Sequence, residues 1–153
     1  MSDFVADFLK NVPMFAELEE EELLYASKYV GMIEVEMDFE PIVFREGDVS
    51  DHVCFVVEGS LDVIKKNQEG FNVKIATLNV GESIGEMALI DSLSRSATVK
   101  ANKDSKLMIL TKRDFDLMLS EKTQIGIKIL KGISRTLSLK LRKTSDVMVY
   151  HHH

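Results

Sequence analysis

The sequence is short of the residues that staple, anchor or catalyse. One cysteine, Cys54, stands among 153 residues, so no internal disulfide framework is available and the chain suits a reducing cytoplasm. That thiol reads as a small buried hydrophobe on a strand rather than a reactive group. Histidine is equally scarce. Three of the four histidines, His151, His152 and His153, close the chain in the manner of a purification tag and carry no functional weight. His52 is the one internal histidine, too few for the clustered imidazoles of a metal site. There is no Ser-His-Asp pattern, no zinc-ligand spacing and no Walker loop, so no acid–base or nucleophilic constellation is recognisable and the chain reads as a non-enzyme. No run of 18 apolar residues exists to span a membrane. The opening Met-Ser-Asp-Phe-Val-Ala-Asp lacks the basic start and long apolar core of a secretion signal, and a cytoplasmic location is expected. Positive charge is in deficit: 19 Lys and Arg against 25 Asp and Glu give a formal net charge of −6. That argues against a general nucleic-acid binder.

What is present suits one globular domain. Hydrophobic residues make up 45% of the chain and charged residues 29%, and the length is enough to bury a core. Phe4, Val5, Phe8 and Leu9 share a helical face, which Pro13 interrupts. A second helix is expected from about Glu19 to Val30, with Leu23, Leu24, Ala26, Ser27 and Val30 inward. From residue 32 the period changes to two: Ile33, Val35 and Met37 alternate with Glu34, Glu36 and Asp38. Strand-like runs then recur about every ten residues, at Ile42 to Phe44, Cys54 to Val57, Leu61 to Lys65, Val73 to Leu78, Ser96 to Ala101 and Leu107 to Leu110. Turn signals such as Glu46-Gly47-Asp48 and Glu58-Gly59 separate them. Such short, evenly spaced strands predict a sandwich or barrel of jelly-roll type. Thr111 and Asp114 form a capping-box-like pair that opens a helix. A last helix is expected over about Thr123 to Lys143, with Ile125, Ile129, Ile133, Leu137 and Leu141 as its stripe and a loose tail from Thr144 to Tyr150. Gly126 and Gly132 weaken that helix locally, so movement along it is expected to be easy.

The segment from Gly81 to Ala101 carries the chemistry. Gly85 permits close backbone approach and opens a short apolar turn of helix, whose start favours an anion. Glu86 sits at that start. Arg95 follows among the small residues Ser94, Ser96, Ala97 and Thr98, and its planar fork suits a phosphate. A carboxylate beside a phosphate needs a neutral donor, such as a ribose hydroxyl. The pattern therefore predicts a ligand with a phosphate and a sugar hydroxyl close together.

Ile84-Gly85-Glu86-Met87-Ala88-Leu89 and Ser94-Arg95-Ser96-Ala97-Thr98-Val99 resemble the phosphate-binding cassette of the cyclic nucleotide-binding domain. That module occurs in protein kinase A regulatory subunits, nucleotide-gated channels and catabolite activator proteins. Phe44-Arg45-Glu46-Gly47-Asp48, the stretch Asp51 to Ser60, and Asn11-Val12-Pro13-Met14-Phe15 also resemble family blocks, so the likeness covers about residues 8 to 142. The sequence departs from the family at Phe39-Glu40-Pro41, where a glycine turn is usual, at Asp91-Ser92-Leu93-Ser94, where glycine and proline are usual, and at Cys54, where an aromatic is common.

The resemblance implies a mainly β chain with flanking helices. Residues 1–31 would be a helical segment, 32–110 an eight-stranded jelly-roll β-barrel (a double-stranded β-helix), 111–143 two C-terminal helices and 144–153 a tail. It implies a regulatory sensor with no cofactor, whose ligand is cyclic AMP or cyclic GMP, with cyclic AMP favoured as the commoner ligand. Ligand contacts would come from Ile84, Gly85, Glu86, Met87, Ala88, Arg95, Ser96 and Ala97. The family's last helix acts as a lid. Residues 122–143 hold Lys122, Lys128, Lys131, Arg135, Lys140, Arg142 and Lys143 and no acid, so Arg135 is the cation this reading places near the phosphate. The partners implied are a cyclic nucleotide, an effector protein and a second copy through the C-terminal helix, with no membrane and no nucleic acid. One alternative is the same fold with an unused pocket, serving as a protein-interaction module. Another is a transcription regulator of the catabolite activator type, which would need a DNA-binding route the sequence does not display.

Overall fold

Short runs that alternate apolar with polar residues form strands when two sheets can share one apolar interior. The computed structural model describes residues 2–39, 41–91 and 93–151; Glu40, Ser92, His152 and His153, invoked above, lie outside the described residues. Its strands are β1 (Gly31–Val35), β2 (Ile42–Phe44), β3 (His52–Glu58), β4 (Leu61–Lys66), β5 (Asn72–Leu78), β6 (Ser83–Ile84), β7 (Thr98–Ala101) and β8 (Ser105–Thr111). They form two four-stranded sheets, ordered β1-β8-β3-β6 and β2-β7-β4-β5. Every pairing is antiparallel. Successive strands alternate between sheets for much of the chain, which is the jelly-roll arrangement expected from the sequence. Val35, Cys54, Val56 and Leu107 from one sheet meet Phe44, Leu61, Val63, Leu78, Val99 and Ala101 from the other in a single apolar cluster. Burying side chains of this kind is worth about 1.5–3 kcal/mol each.

Two local departures have physical causes. Met37 was expected on the inner face of β1, yet it is 42% exposed. The strand ends at Val35 because Val35 pairs with Ser105, the first residue of β8, and the ladder has no further partner. The chain then turns, with the Met37 N–H donating to Asp104 Oδ1 at 2.8 Å. β6 escapes any periodicity argument because it is two residues long, paired with Cys54 and Phe55 of β3.

The described residues group into two compact units, residues 28–116 and the helical unit of 1–27 with 117–153. The first contains both sheets and the start of α3 (Lys112–Glu121). Thr111 Oγ1 accepts the Asp114 N–H at 3.1 Å, the cap predicted for that helix. The helical unit contains α1 (Ser2–Leu9), a 3-10 turn at Pro13–Phe15, α2 (Glu20–Ser27) and α4 (Thr123–His151). In α2 the expected inner residues Leu23, Ala26 and Ser27 are buried. Glu22 lies in the first turn of α2 and accepts the Glu19 N–H at 2.9 Å and Lys128 Nζ at 2.7 Å. The Glu19 N–H first, and then Lys128, hold the Glu22 carboxyl below its ordinary pKa.

α4 corrects the sequence reading at its far end and in its glycines. The helix continues to His151, so residues 144–151 are helical rather than a loose tail. The expected stripe divides: Ile125, Ile129 and Ile133 are buried, whereas Leu141 is 68% exposed. Gly132 sits against the Met14 carbonyl, where a Cβ would overlap backbone, and Gly126 is similarly close to Leu119. These glycines allow close packing; looseness is not their evident role. In an exposed helix Gly→Ala stabilises by up to about 1 kcal/mol. Gly132→Ala should instead destabilise by about 1–3 kcal/mol, because α4 must shift off the 3-10 turn. Urea unfolding at neutral pH checks the sign; a higher midpoint for the variant would show that the contact is slack.

Candidate functional site

Gly85 and Arg95, ten residues apart in sequence, meet in space. Gly85 has φ +93° and precedes a 3-10 turn over Glu86–Leu89. The left-handed backbone alone favours glycine there. Space does so independently, because a Cβ would overlap the Arg95 guanidinium. The Ala88 N–H closes the turn on the Gly85 carbonyl at 3.0 Å. A 3-10 turn of four residues carries far less dipole than a helix of several turns, so positive potential at this site comes chiefly from Arg95.

Arg95 is half-buried, and its partners among the described residues are neutral groups. Its Nη2 donates to Ser50 Oγ and to the His52 carbonyl. Its guanidinium carbon stands 3.5 Å from the centroid of the Phe44 ring, a cation–π contact. The Phe44 ring in turn lies 5.1 Å from the His52 ring, tilted by 46°. Arg95 Nε is buried and has no hydrogen-bond partner. Burial depresses the guanidinium pKa, opposed by the nearby Cys54, Glu86 and Asp51. Cys54 lends no charge at neutral pH, since burial pushes its thiol up to about 12. Among the described residues no carboxylate oxygen lies within ion-pairing distance of Arg95.

The backbone around Arg95 is pinned by a turn the sequence singled out. The Arg95 N–H donates to the Asp48 carbonyl at 2.7 Å, and the Gly47 N–H donates to the Arg95 carbonyl at 2.8 Å. Val49 and Ser94 form an isolated antiparallel bridge. The Glu46 N–H donates to Thr98 Oγ1 at 2.9 Å. Arg95 is therefore fixed from residues 46–49 even though its own loop lacks the usual glycine and proline.

The other expected contacts occupy distinct environments. Glu86 is only 3% exposed, and Ser83 donates its hydroxyl to Glu86 Oε1 at 2.6 Å. Ile84 and Ala97 are half-buried, Ala88 is buried, and Met87 and Ser96 are exposed. Arg135 belongs to the helical unit and pairs there with Glu17 at 3.3 Å. Sequence reasoning missed Ser50, Phe44 and the His52 carbonyl as partners of Arg95. Phe44 and His52 fall inside recognised blocks, but no local signal connects them with an arginine more than forty residues away. A separate cavity of about 420 Å³ is lined by Ile33, Glu34, Val35, Glu36, Phe39, Ile42, Val43 and His52, and so includes neither Gly85 nor Arg95. Among the described residues there is no metal-ligating cluster and no helix long and apolar enough to cross a membrane.

Comparison with known proteins agrees with this fold. A lysophospholipase NTE1 of Chaetomium globosum is 36% identical over 108 residues, 70% of this chain and 7% of the fungal protein. A cAMP-dependent protein kinase regulatory subunit of Blastocladiella emersonii is 32% identical over 110 residues, 72% of this chain and 27% of that subunit. The chain thus spans well under a third of the length of either relative. Among solved structures, a cyclic nucleotide-binding domain from Methylobacillus flagellatus superposes with a TM-score of 0.86 at 23% identity, covering 98% of this chain and 83% of that one; it shares the fold. The profile of the cyclic nucleotide-binding domain matches residues 40–122, from before β2 to the end of α3. With that match spanning more than half of the sequence and the Gly85–Arg95 contact at its centre, the chain belongs to the cyclic nucleotide-binding domain family, whose domains are regulatory rather than catalytic.

Proposed function

We propose that this chain is a cyclic AMP sensor in which Arg95 neutralises the cyclic phosphate and Glu86 receives the ribose 2′-hydroxyl. One observation carries the reading: a half-buried guanidinium with an orphaned Nε and, among the described residues, no carboxylate counter-ion. Arginine in such a place is held in readiness for an anion, because burying its charge unpaired is otherwise costly. Gly85 lets the Arg95 guanidinium lie directly against the backbone of this turn. Ile84, Met87, Ala88, Ser96 and Ala97 flank the same segment and supply its apolar and hydroxyl contacts. Glu86 accepts the Ser83 hydroxyl, and a carboxylate's two oxygens can accept several hydrogen bonds at once. The kinase relative's name supports cyclic AMP; the Ser96 hydroxyl suits either a phosphate or a guanine amine, so cyclic GMP is the comparison ligand.

In this proposal α4 conveys occupancy to an effector protein in the cytoplasm. Arg135 would leave Glu17 to face the bound phosphate, a modest cost for a pair exposed on both sides. A second copy of the chain would cover the exposed Leu139 and Leu141.

Arg95→Leu should lower cyclic AMP affinity by about tenfold to a hundredfold, since a charged hydrogen bond contributes about 1.5–3 kcal/mol. Calorimetry with cyclic AMP and cyclic GMP measures this; unchanged affinity would remove Arg95 from the site. Glu86→Gln should weaken cyclic AMP and leave its 2′-deoxy analogue nearly unaffected. In that cycle the losses should be strongly non-additive, and additive losses would mean that the carboxylate and the hydroxyl never meet. The full chain should sediment as a dimer, and Leu139→Glu combined with Leu141→Glu should render it monomeric. A monomeric unaltered chain would sink the dimer proposal alone.

A further inference from the structure

We infer that Ser50 is a positioning residue for the anion site: its neutral hydroxyl, with the His52 carbonyl and the Phe44 ring, fixes Arg95 in one orientation while leaving the guanidinium charge uncancelled. The inference rests on Arg95 being the phosphate-binding group proposed above, and it adds the group that aims that arginine.

Ser50 lies between the Val49 bridge and the start of β3, and is 6% exposed. A buried hydroxyl needs partners, and the Arg95 Nη2 is one. Guanidinium carries five N–H groups in one plane. Nη2 owns two of them and has two acceptors, Ser50 Oγ and the His52 carbonyl. The remaining donors are those of Nη1 and the unbonded Nε. With the ring of Phe44 against one face of the plane, the guanidinium is constrained both along its edge and across its face. An arriving phosphate therefore meets one defined set of donors.

The chemistry of the holder matters as much as its place. A carboxylate here would form a charge-assisted pair with Arg95 and bind it more strongly than a hydroxyl does. It would also cancel the charge on which an anion depends. The nearest acid in sequence, Asp51, is directed to the His52 ring at 3.3 Å and is largely solvent-exposed. Ser50 thus supplies direction without neutralisation. The two exocyclic oxygens of a cyclic phosphate are chemically distinct in a chiral site. An arginine held in one orientation must favour one of them.

The test uses the full chain and the two phosphorothioate diastereomers of cyclic AMP, in which sulfur replaces one exocyclic oxygen or the other. The unaltered protein should prefer one diastereomer by about tenfold, the scale of one good hydrogen bond. Ser50→Ala should bring that ratio close to one with little change in thermal midpoint, and Ser50→Thr, which keeps the hydroxyl, should restore it. Ser50→Asp should weaken both diastereomers by tenfold or more while its thermal midpoint holds or rises, an opposition that a purely structural role would not produce. A preserved ratio in Ser50→Ala overturns the inference, as does full affinity in Ser50→Asp or equal binding of the two diastereomers by the unaltered protein. If the unaltered protein binds neither diastereomer nor cyclic AMP, the sensor reading itself fails, and that outcome is distinct from the others.

Discussion

A positive charge held half out of water with, among the described residues, no carboxylate at ion-pairing distance is the constraint around which the site in the sheet-bearing unit is arranged. Removing a guanidinium from water is unfavourable unless its N–H groups and its charge are answered. Here the N–H groups of Nη2 are answered by a hydroxyl and a carbonyl, and the flat face by an aromatic ring. The charge is not answered by any described carboxylate at ion-pairing range. Hydrogen bonding and charge neutralisation have been separated. The separation leaves a group that is held in place and has no ion-pair partner among the described residues.

The jelly-roll order is what makes this arrangement possible. Phe44 ends β2, His52 begins β3, Gly85 follows β6 and Arg95 precedes β7. β2 neighbours β7 in one sheet and β3 neighbours β6 in the other, so the four positions converge although they span some fifty residues. The Arg95 backbone is tied to Asp48 and Gly47 by hydrogen bonds in both directions. Sheet order thus performs the task that a rigid loop of glycine and proline would otherwise perform. The cassette loop can lose those residues without freeing the arginine.

What was legible in the sequence follows from the range of each signal. Strand periodicity is local, and it located seven of the eight strands; β6, two residues long, offers no period to detect. Gly85, Glu86 and Arg95 were legible because residue type alone restricts what they can do. Ser50 and Phe44 were not, because their role lies in a contact that only the sheet order creates. Gly132 shows the reverse problem: its missing side chain is visible in the sequence, but whether it means slack or close approach depends on the Met14 carbonyl across from it. The extent of α4 was misjudged for a related reason. Its apolar stripe is buried through Ile133 and half-buried at Leu137, and every residue from Ser138 to Lys143 is exposed, so the inward-facing period that marks a helix fades well before α4 ends.

That change along α4 bears on how the helix could transmit anything. Its first part is fixed within the helical unit by Ile125, Ile129 and Ile133, by the close contact at Gly132, and by the bridges from Lys128 to Glu22 and Arg135 to Glu17. From Ser138 to Lys143 every residue is exposed. Local opening free energies follow burial, so the first part should hold its place while the later part exchanges contacts easily. Both bridges lie on the held part; Lys128–Glu22 is partly shielded from solvent, whereas Arg135–Glu17 is exposed enough to contribute little to stability. The exposed bridge is better suited to selecting a helix position than to enforcing one. A proposed signal through α4 would then consist of re-pairing Arg135, with the isoleucines and Gly132 acting as the fixed point against which the re-pairing is registered.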